Sequence, residues 1–426
     1  MLRMIGVSAR CLLGCGLALA MIALSASPQA KGYKQLYAFH GGSDGSHPQY
    51  NLLLNKGDLY GSALYGGALG FGTLFRLTPD GKETTLYSFR GIGSGDGAYP
   101  GGPPVVDKAG NLYDETFEGG TGSCFGGEGC GTVFKLAPDG TETVLHAFRG
   151  GSDGASPDES VILDDKGNLY GTTEVGGSGK CSYSGYPPGC GTIFKLAPDG
   201  TETVLYAFRG GSTDGSDPSG NLVADTSGNL YGTTTLAGGT ACQGFGCGTV
   251  FKLAPDGTER VLYSFCARAG CSDGADPIFT SLFMDRKANL YGTTEFGGSG
   301  TGCGSGKGCG AVYKLAPDGT ETVLYSFCSL SQCSDGDYPD SNVIVNRKGD
   351  FVSTTAGGGA HGFGALFGLS RHGAETLLYS FKSGRDGASP NASVIADPKG
   401  HLYGTTYAGG SGNCTGGCGT VYTLGE

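Results

Sequence analysis

The sequence predicts an all-β protein, a closed seven-bladed β-propeller with four antiparallel strands in each blade. First, one pattern recurs seven times at intervals of 50 to 62 residues. Second, its strands are apolar on both faces, so both faces must be covered. Third, the last copy lacks its final strand, and residues 33–39 supply one. An N-terminal strand that completes the C-terminal blade closes the array into a ring and removes exposed sheet edges.

Each repeat unit predicts four strands, which we name A to D from the axis outward. In the third unit these are Ser160–Asp164, Asn168–Thr173, Gly191–Leu196 and Glu202–Phe208. Tight turns join A to B and C to D, and a long loop rich in glycine and cysteine joins B to C. The Pro-Asp-Gly sequence between C and D is a strong turn signal because proline presets φ and glycine accepts positive φ.

The phenylalanine at the end of strand D marks the period of the repeat. It recurs as Phe39, Phe89, Phe148, Phe208, Phe265, Phe327 and Phe381. We therefore predict a single domain over residues 33–426. Its blades, numbered 1 to 7, are 48–89, 100–148, 157–208, 218–265, 277–327, 339–381, and 390–424 joined to 33–39. Tryptophan is absent, so tyrosine and phenylalanine must fill the space between blades.

Residues 1–26 predict a secretory signal peptide, with cleavage as late as residue 30. Arg3 and Arg10 form the basic start, and the apolar run from Cys11 to Ala26 is too short for a stable membrane span. Lipoprotein cleavage at Cys15 is disfavoured because the apolar run continues past it. We expect a secreted, extracellular protein, with the periplasm or cell surface as alternatives, and no other stretch approaches membrane length.

The charge of the chain narrows the class of partner. The formal net charge is −11, and removal of the two arginines of the signal peptide makes it −13. An acidic domain repels phosphate backbones, which argues against a nucleic-acid partner. We expect a monomer whose partner is a glycan or a cell-surface protein.

The cysteines also indicate export. Fourteen of the 16 lie beyond the signal peptide and form seven close pairs, which favours disulfides in an exported chain. A zinc site is disfavoured because no pair has Cys-x-x-Cys spacing. Because short loops close cheaply, each bridge should pin its loop more than it stabilises the fold. The pairs are Cys124/Cys130, Cys181/Cys190, Cys242/Cys247, Cys266/Cys271, Cys303/Cys309, Cys328/Cys333 and Cys414/Cys418.

The order of motifs in each unit resembles a known family. Asn-Leu-Tyr-Gly-Thr-Thr, then Gly-Gly, then Gly-Thr-Val-Phe-Lys-Leu-Ala-Pro-Asp-Gly is similar to the GloVer-type tandem repeat of bacterial exported proteins. The resemblance covers nearly the whole mature chain. It implies a propeller-like fold and an extracellular or surface location, and it implies no activity. Family members often carry a C-terminal anchor, which this chain lacks, so we expect release.

The candidate binding face carries the long B–C loops and the D–A connections, where every cysteine pair lies. Each D–A connection contains Asp-Gly-x-x-Pro. If these aspartates ring the channel mouth, they could bind a cation or a polyol. The alternative is an Asp-Gly turn whose carboxylate bonds nearby backbone amides. The aspartates are Asp44, Asp96, Asp153, Asp214, Asp273, Asp335 and Asp386.

Other polar residues give weaker signals of chemistry. His40 and His47 flank Asp44, and His361 lies in the B–C loop of blade 6. Two carboxylates about 5–10 Å apart could perform acid–base chemistry on a glycoside. The carboxylates that follow strand B vary between blades, and they are Glu115, Glu118, Glu174 and Glu295.

The sequence contains no His-Glu-x-x-His or P-loop motif, and Gly-x-Ser-x-Gly occurs only in the glycine-rich connections at 41–45 and 150–154, where no helix follows to form a nucleophile elbow. It therefore assigns no catalytic residue and no cofactor, and it leaves a structural cation open. We predict an extracellular binding or scaffold module for a polysaccharide or an envelope protein. The alternative is a carbohydrate-active enzyme, a hydrolase or lyase, with its site at the channel mouth on the long-loop face.

Overall fold

The computed structural model describes residues 32–304 and 307–425, so the predicted signal peptide lies outside the described residues. The described chain forms seven separate antiparallel sheets that follow one another along the sequence. This confirms the predicted seven-bladed β-propeller. Within the described ranges, no helix has the length and apolar character needed to cross a membrane.

The strands recur at equivalent places in blades 1 to 7. Strand A is Leu53–Asn55, Gly97–Pro100 with Val105–Val106, Ile162–Leu163, Gly215–Ala224, Phe283–Met284, Ile344–Val345 and Ile395–Ala396. Strand B is Asp58–Ala63, Leu112–Gly119, Leu169–Thr173, Leu230–Ala237, Leu290–Thr294, Phe351–Thr355 and Leu402–Thr406. Strand C is Thr73–Leu77, Thr132–Leu136, Thr192–Leu196, Thr249–Leu253, Ala311–Leu315, Ala365–Leu369 and Thr420–Leu424. Strand D is Glu83–Ser88, Glu142–Ala147, Glu202–Ala207, Glu259–Ser264, Glu321–Ser326, Glu375–Ser380 and, for blade 7, Tyr33–Ala38.

Short 3₁₀ turns lie in the loops between these strands. Four of the turns in the described chain belong to D–A connections, and one belongs to the B–C loop of blade 4. They are Gly151–Asp153, Cys242–Gly244, Ala269–Cys271, Ser331–Cys333 and Gly384–Asp386.

The N-terminal strand closes the ring as predicted. Tyr33–Ala38 pairs antiparallel with Thr420–Leu424, with Tyr33 opposite Leu424 and Ala38 opposite Thr420. The register shifts by one residue between Gln35 and Tyr37, and the other six C–D pairs shift at the corresponding place. The first strand is therefore a full strand D, bulge included.

Strand A is shorter than predicted in most blades. In blade 3 only Ile162 and Leu163 pair with strand B, because the residues just before them bond to neighbouring blades. The backbone N–H of Ser160 donates to Oδ1 of Asn221 in blade 4 at 2.8 Å. In blade 2 strand A is broken into two segments, since Pro103 and Pro104 cannot donate ladder hydrogen bonds.

Aromatic pairs fill the space between the blades. The phenylalanine after each strand D packs edge to face on an aromatic ring of strand C in the next blade, with ring centroids 4.9 to 5.2 Å apart. This geometry is favoured by the ring quadrupoles. The pairs are Phe39–Phe75, Phe89–Phe134, Phe148–Phe194, Phe208–Phe251, Phe265–Tyr313, Phe327–Phe367 and Phe381–Tyr422.

Candidate functional site

Each D–A connection ends in a rim residue, the one directly before the proline that precedes strand A. Every rim residue has a left-handed backbone, with φ from 52° to 60°. Its N–H donates to a carbonyl of the preceding blade, as from His47 to Cys418 at 2.8 Å. These bonds hold a conformation that costs a non-glycine residue about 1–2 kcal/mol. The rim residues are His47, Tyr99, Ser156, Asp217, Asp276, Tyr338 and Ser389.

The backbone of the rim is constant, but its side chains are not. The same left-handed position carries histidine, tyrosine, serine or aspartate in different blades. The position five residues beyond the first leucine of strand B varies in the same way, since Leu64, Phe117 and Glu174 occupy equivalent places. Rigid positions with unlike side chains are typical of a surface that binds a ligand without sevenfold symmetry.

The rim of blades 1 to 3 encloses a cavity of about 380 Å³ at the channel mouth. The residues that line it are aromatic, acidic or amide-bearing, with one leucine. They are Gln49, Tyr50, Leu64, Tyr65, Tyr99, Phe117, Glu118, Glu128 and Asp158. The axial channel is much narrower, with a cavity of about 40 Å³. A ligand of saccharide size therefore fits the mouth and not the axis.

An unbroken chain of aromatic rings follows one side of this mouth. The His47 ring lies 4.6 Å from that of Tyr407 and 5.6 Å from that of Tyr65. Tyr65 in turn lies 5.6 Å from Tyr99. Tyr65 is 41% exposed, so its face is open to a ligand.

A second aromatic group extends from the mouth toward blade 3. Phe117 stacks on Phe125 with centroids 5.8 Å apart, and Phe125 meets Tyr186 edge to face at 5.4 Å. Tyr186, from the B–C loop of blade 3, is 44% exposed. Both aromatic groups therefore contribute rings to the lining of the mouth, Tyr65 and Tyr99 from the first and Phe117 from the second.

Three half-buried carboxyl groups lie where blades 3 and 4 meet the mouth. The Tyr50 hydroxyl donates to Oδ1 of Asp158 at 2.7 Å, and Asp158 and Glu174 share a hydrogen bond. Burial raises the pKa of Asp158 to about 7. Burial also raises the pKa of Glu174 well above its usual range, and the charges of Asp217 and Asp158 raise it further. The Asp158–Glu174 pair therefore holds a proton near neutral pH.

Two more carboxyl groups extend the acidic part of the mouth toward blade 2. Burial raises the pKa of Glu118 to about 7, and the charge of Glu128 raises it further. Glu128 itself is exposed. Glu118 was among the carboxylates predicted to vary between blades, and the structure places it with Asp158 in one cavity.

Blades 5 and 6 carry a second acidic group. Burial and the charge of Asp276 raise the pKa of Glu295 to about 7, while the charge of Lys307 lowers it. Burial and the charge of Glu295 raise the pKa of Asp340 well above its usual range. Lys307 also lies 4.7 Å from the Phe296 ring centroid, so this group, unlike the first, has a cation beside it.

Blade 2 departs from the repeat inside the strand as well. Where the other blades have Gly-Thr, Gly-Ser or Ser-Thr in strand B, it has Asp114-Glu115, and both side chains are 0% exposed. Oε1 of Glu115 reaches Gly171 of blade 3, where a Cβ would lie only 2.3 Å from it. Burial raises the pKa of both carboxyls well above their usual range. Sequence analysis flagged Glu115 but missed Asp114, whose signal was the loss of a repeated glycine.

The seven Asp-Gly-x-x-Pro aspartates lie beside strand D, the outer strand. In six blades the carboxylate accepts a bond from a strand D tyrosine hydroxyl, as Asp214 does from Tyr206 at 2.9 Å. In blade 2 the neighbour is His146 instead. Each aspartate also accepts from a backbone N–H just after strand D. The carboxylates thus join each strand D to its own connection, and a ligand role for them stays a prediction.

All seven predicted cysteine pairs are disulfides, with Cα atoms 4.1 to 5.6 Å apart. In blade 4 the sulfurs of Cys242, Cys247, Cys266 and Cys271 all lie within 4.8 Å of one another. The B–C loop and the D–A connection of that blade are therefore braced side by side. So many disulfides indicate an oxidising location, extracellular or periplasmic.

The second cysteine of each B–C pair lies in the core, at the end of the long loop. Cys190 is 0% exposed and packs in one cluster with Ile193 and Phe208. The reason is its place directly before strand C, where its carbonyl accepts a hydrogen bond from the N–H of the rim residue Asp217 at 3.0 Å. Cys190 therefore anchors the loop to the core, and its partner Cys181 is half-buried. The equivalent buried cysteines are Cys130, Cys247, Cys309 and Cys418.

The histidines predicted near Asp44 separate in the structure. His40 Nδ1 lies 2.9 Å from Oδ2 of Asp44, at the outer strand. His47 lies at the mouth against Tyr65 and Tyr407. His40 and His47 therefore do not form one histidine–aspartate cluster around Asp44. The third predicted histidine, His361, is an exposed residue of blade 6.

Two solved structures are similar to this chain. One is a candidate gluconolactonase, with 15% identity over 82% of this chain and 93% of that one and a TM-score of 0.39. The other is a candidate 6-phosphogluconolactonase from Bacteroides uniformis, with 17% identity over 82% and 88% and a TM-score of 0.48. No curated protein matches the sequence significantly.

The repeats themselves match a known sequence family. The profile of the Gloeobacter/Verrucomicrobia repeat matches residues 22–183, 96–306 and 300–425. These matches overlap and together span the described propeller, as the motif order in the sequence implied. The chain belongs to the Gloeobacter/Verrucomicrobia repeat family.

Proposed function

We propose that the protein is a secreted glycan-binding module whose ligand lies in the channel mouth above blades 1 to 3. The observation that supports this most is the cavity of about 380 Å³ whose lining combines aromatic rings with carboxyl and amide groups. Sugar rings present apolar C–H faces and hydroxyl edges. Aromatic faces such as that of Tyr65 can pack against the C–H faces of a sugar. Carboxyl or amide groups such as those of Asp158 and Gln49 can form hydrogen bonds with its hydroxyl groups.

The charge of the mouth narrows the class of glycan. The charges that act on Glu174 come from Asp217, Asp158 and Glu159, all of them acids. A polyanionic glycan would add to this repulsion, and a neutral or amino-bearing glycan would not. The proposed ligand is therefore a neutral or cationic polysaccharide outside the cell. The net negative charge of the whole chain also disfavours a polyanionic ligand.

Release from the cell is part of this proposal. The disulfides indicate an oxidising compartment, and the apolar run of residues 11–26 fits a cleaved signal. A monomeric propeller with one asymmetric mouth needs no partner chain to present it. Mass spectrometry of the culture supernatant would test release, and recovery only with membranes would contradict it.

A glycan array followed by calorimetry tests binding. We expect binding of a neutral or amino-bearing polysaccharide, and a loss of about three- to tenfold in affinity for Tyr65→Ala and for Tyr99→Ala. Phe245→Ala is the matched control, because Phe245 is 64% exposed but lies on blade 4. Failure to bind any glycan, or equal affinity in all three variants, would reject the proposal.

A carbohydrate-active enzyme is the second candidate, favoured by the proton-sharing Asp158–Glu174 pair beside the Tyr50 hydroxyl. A group whose pKa lies near neutrality suits general acid–base catalysis. The two carboxyls bond directly, whereas glycosidase pairs stand about 5–9.5 Å apart. The pair would therefore act as one acid–base unit and not as the two separated carboxyls of a hydrolase. Depolymerisation of a bound glycan, lost in Asp158→Asn, would establish this candidate, and binding without turnover would exclude it.

A further inference from the structure

We propose that His146, Asp153 and Glu202 form a binding site for a divalent transition metal of the zinc class. Nε2 of His146 and one carboxylate oxygen from each acid all lie within 4.8 Å of one another. Nε2 of His146 is 3.3 Å from Oδ1 of Asp153. The three side chains are half-buried at the outer edge of the boundary between blades 2 and 3.

The repeat shows why this place differs from its six equivalents. The strand D residue two positions before the phenylalanine is tyrosine in every other blade, and its hydroxyl donates to the aspartate of the connection. Blade 2 alone has histidine there, and a neutral imidazole nitrogen accepts a metal where a tyrosine hydroxyl donates a proton. The tyrosines are Tyr37, Tyr87, Tyr206, Tyr263, Tyr325 and Tyr379.

The third group comes from the next blade. Glu202 begins strand D of blade 3, and the charge of Asp153 acts on its carboxyl. Oε1 of Glu202 and Nε2 of His146 are both shielded from solvent without a hydrogen-bond partner. Nε2 of His146 is thus close to Oδ1 of Asp153, but the two atoms are not oriented for a hydrogen bond. The unpartnered glutamate oxygen recurs at this strand D position in other blades, so the shielded imidazole nitrogen beside it is what sets this place apart. Shielded polar atoms without partners cost free energy, and a bound cation would satisfy both.

The spacing of the ligand atoms fits a tetrahedral ion. Zinc bonds to nitrogen and oxygen at about 2.0–2.2 Å, which places neighbouring ligands about 3.4 Å apart. The 3.3 Å between His146 and Asp153 is close to that value, and the carboxylate oxygen of Glu202 lies within 4.8 Å of both ligand atoms. An imidazole with two carboxylates disfavours calcium, which takes six to eight oxygen ligands.

A metal at this site would cross-link two blades. His146 and Asp153 belong to strand D and the connection of blade 2, and Glu202 belongs to blade 3. Three protein ligands leave the fourth position for water. The site lies beside the outer strand and apart from the mouth, so metal binding and glycan binding are separate properties that can fail independently.

Calorimetry with Zn²⁺ on the purified, unreduced protein after chelator treatment tests the site, with Co²⁺ as a spectroscopic probe. We expect one tight site and a rise in the melting temperature on metal addition. His146→Tyr restores the residue of the other six blades, so the variant should fold and should bind at least about tenfold more weakly.

Glu202→Gln should also weaken binding, and Glu259→Gln is its matched control. Glu259 holds the same strand position as Glu202, but it faces the tyrosine–aspartate pair of blade 3. No binding below millimolar Zn²⁺, or unchanged binding in His146→Tyr, would overturn the proposal. Equal losses in Glu202→Gln and Glu259→Gln would also overturn it.

Discussion

The ring of Phe39 packs edge to face on the ring of Phe75, with centroids 5.1 Å apart. Both side chains are almost fully buried. Phe39 follows the N-terminal strand, and Phe75 belongs to strand C of blade 1. Phe39, whose strand completes blade 7, thus makes with blade 1 the same contact that holds every other pair of neighbouring blades together.

Phe39→Ala should therefore loosen the closing blade. Removal of a buried phenylalanine costs about 3–5 kcal/mol, and here part of the cost falls on the strand that completes the ring. We expect a lower melting temperature and faster hydrogen exchange in residues 420–424. Phe208→Ala is the internal control, with an equivalent ring contact at 5.2 Å. Unchanged exchange in residues 420–424 of the Phe39 variant would contradict this account of closure.

The sequence predicted the scaffold well because seven copies carry the same information. The strand order, the closing strand and the seven disulfides each follow from a pattern that recurs or from cysteines close together in the chain. Strand A was the exception, and its shortness results from bonds between blades, such as Ser160 to Asn221. The burial of Cys190 was missed for the same reason, since its bond to Asp217 and its contact with Phe208 depend on how neighbouring segments pack. Such contacts recur from blade to blade, but they join segments of different blades, so the residue pattern within one strand does not reveal them.

The mouth could not be predicted in the same way because it is the part that does not repeat. Tyr50 and Asp158 bond across a sequence separation of 108 residues. Tyr50 and Asp158 are different residue types, and they hold different positions in their repeat units, two residues after Pro48 and one after Pro157. The aspartates of the D–A motif were predicted as candidate ligands because they recur. Their recurrence reflects a hydrogen bond to strand D that the blades share. The rim residues next to them vary, and variation at a rigid position was the more useful signal.

The acidic mouth predicts that stability falls as pH rises from about 5 to 8. Burial raises the pKa of Asp158 and Asp217 to about 7 in the folded protein, above the value near 4 of an unfolded aspartate. Such groups bind more protons when folded, so their contribution is full below pH about 4 and is lost as pH approaches 7. The melting temperature should be lower at pH 8 than at pH 5.

Asp158→Asn should reduce that difference, because the amide does not titrate. Asp139→Asn is the control, since Asp139 lies on an exposed turn and hydrogen bonds from Thr141 lower its pKa. A thermal melting series from pH 5 to 8 measures the effect. A profile for Asp158→Asn as steep as that of the parent would show that the mouth carboxyls do not cause the pH dependence.

The disulfides predict a protein without free thiols. Thiol labelling of the unreduced, denatured protein should modify almost no cysteine, since all fourteen described cysteines are paired. Cys124→Ala with Cys130→Ala should cost only about 2 kcal/mol, because the bridge joins cysteines that are six positions apart. Extensive labelling without reductant would contradict the pairing.

The bond between Tyr206 and Asp214 predicts graded losses of stability at the end of strand D. The Tyr206 hydroxyl donates to Oδ2 of Asp214 at 2.9 Å, and the N–H groups of Arg209 and Gly215 donate to the same carboxylate. Tyr206→Phe removes one donor and should cost about 1 kcal/mol. Asp214→Ala leaves three donors without their acceptor and should cost more, about 2–4 kcal/mol.

Denaturant unfolding of the two variants measures this order, with Tyr170→Phe as a control in strand B. The Tyr170 hydroxyl also donates to an aspartate, Asp164, but at 3.2 Å in a tight turn of the opposite face. Its loss should cost less than that of Tyr206. If Asp214→Ala is no more costly than Tyr206→Phe, the backbone N–H bonds contribute little. The recurrence of Asp-Gly-x-x-Pro would then need a reason other than stability. Binding of a cation or a polyol by these aspartates would be the remaining interpretation.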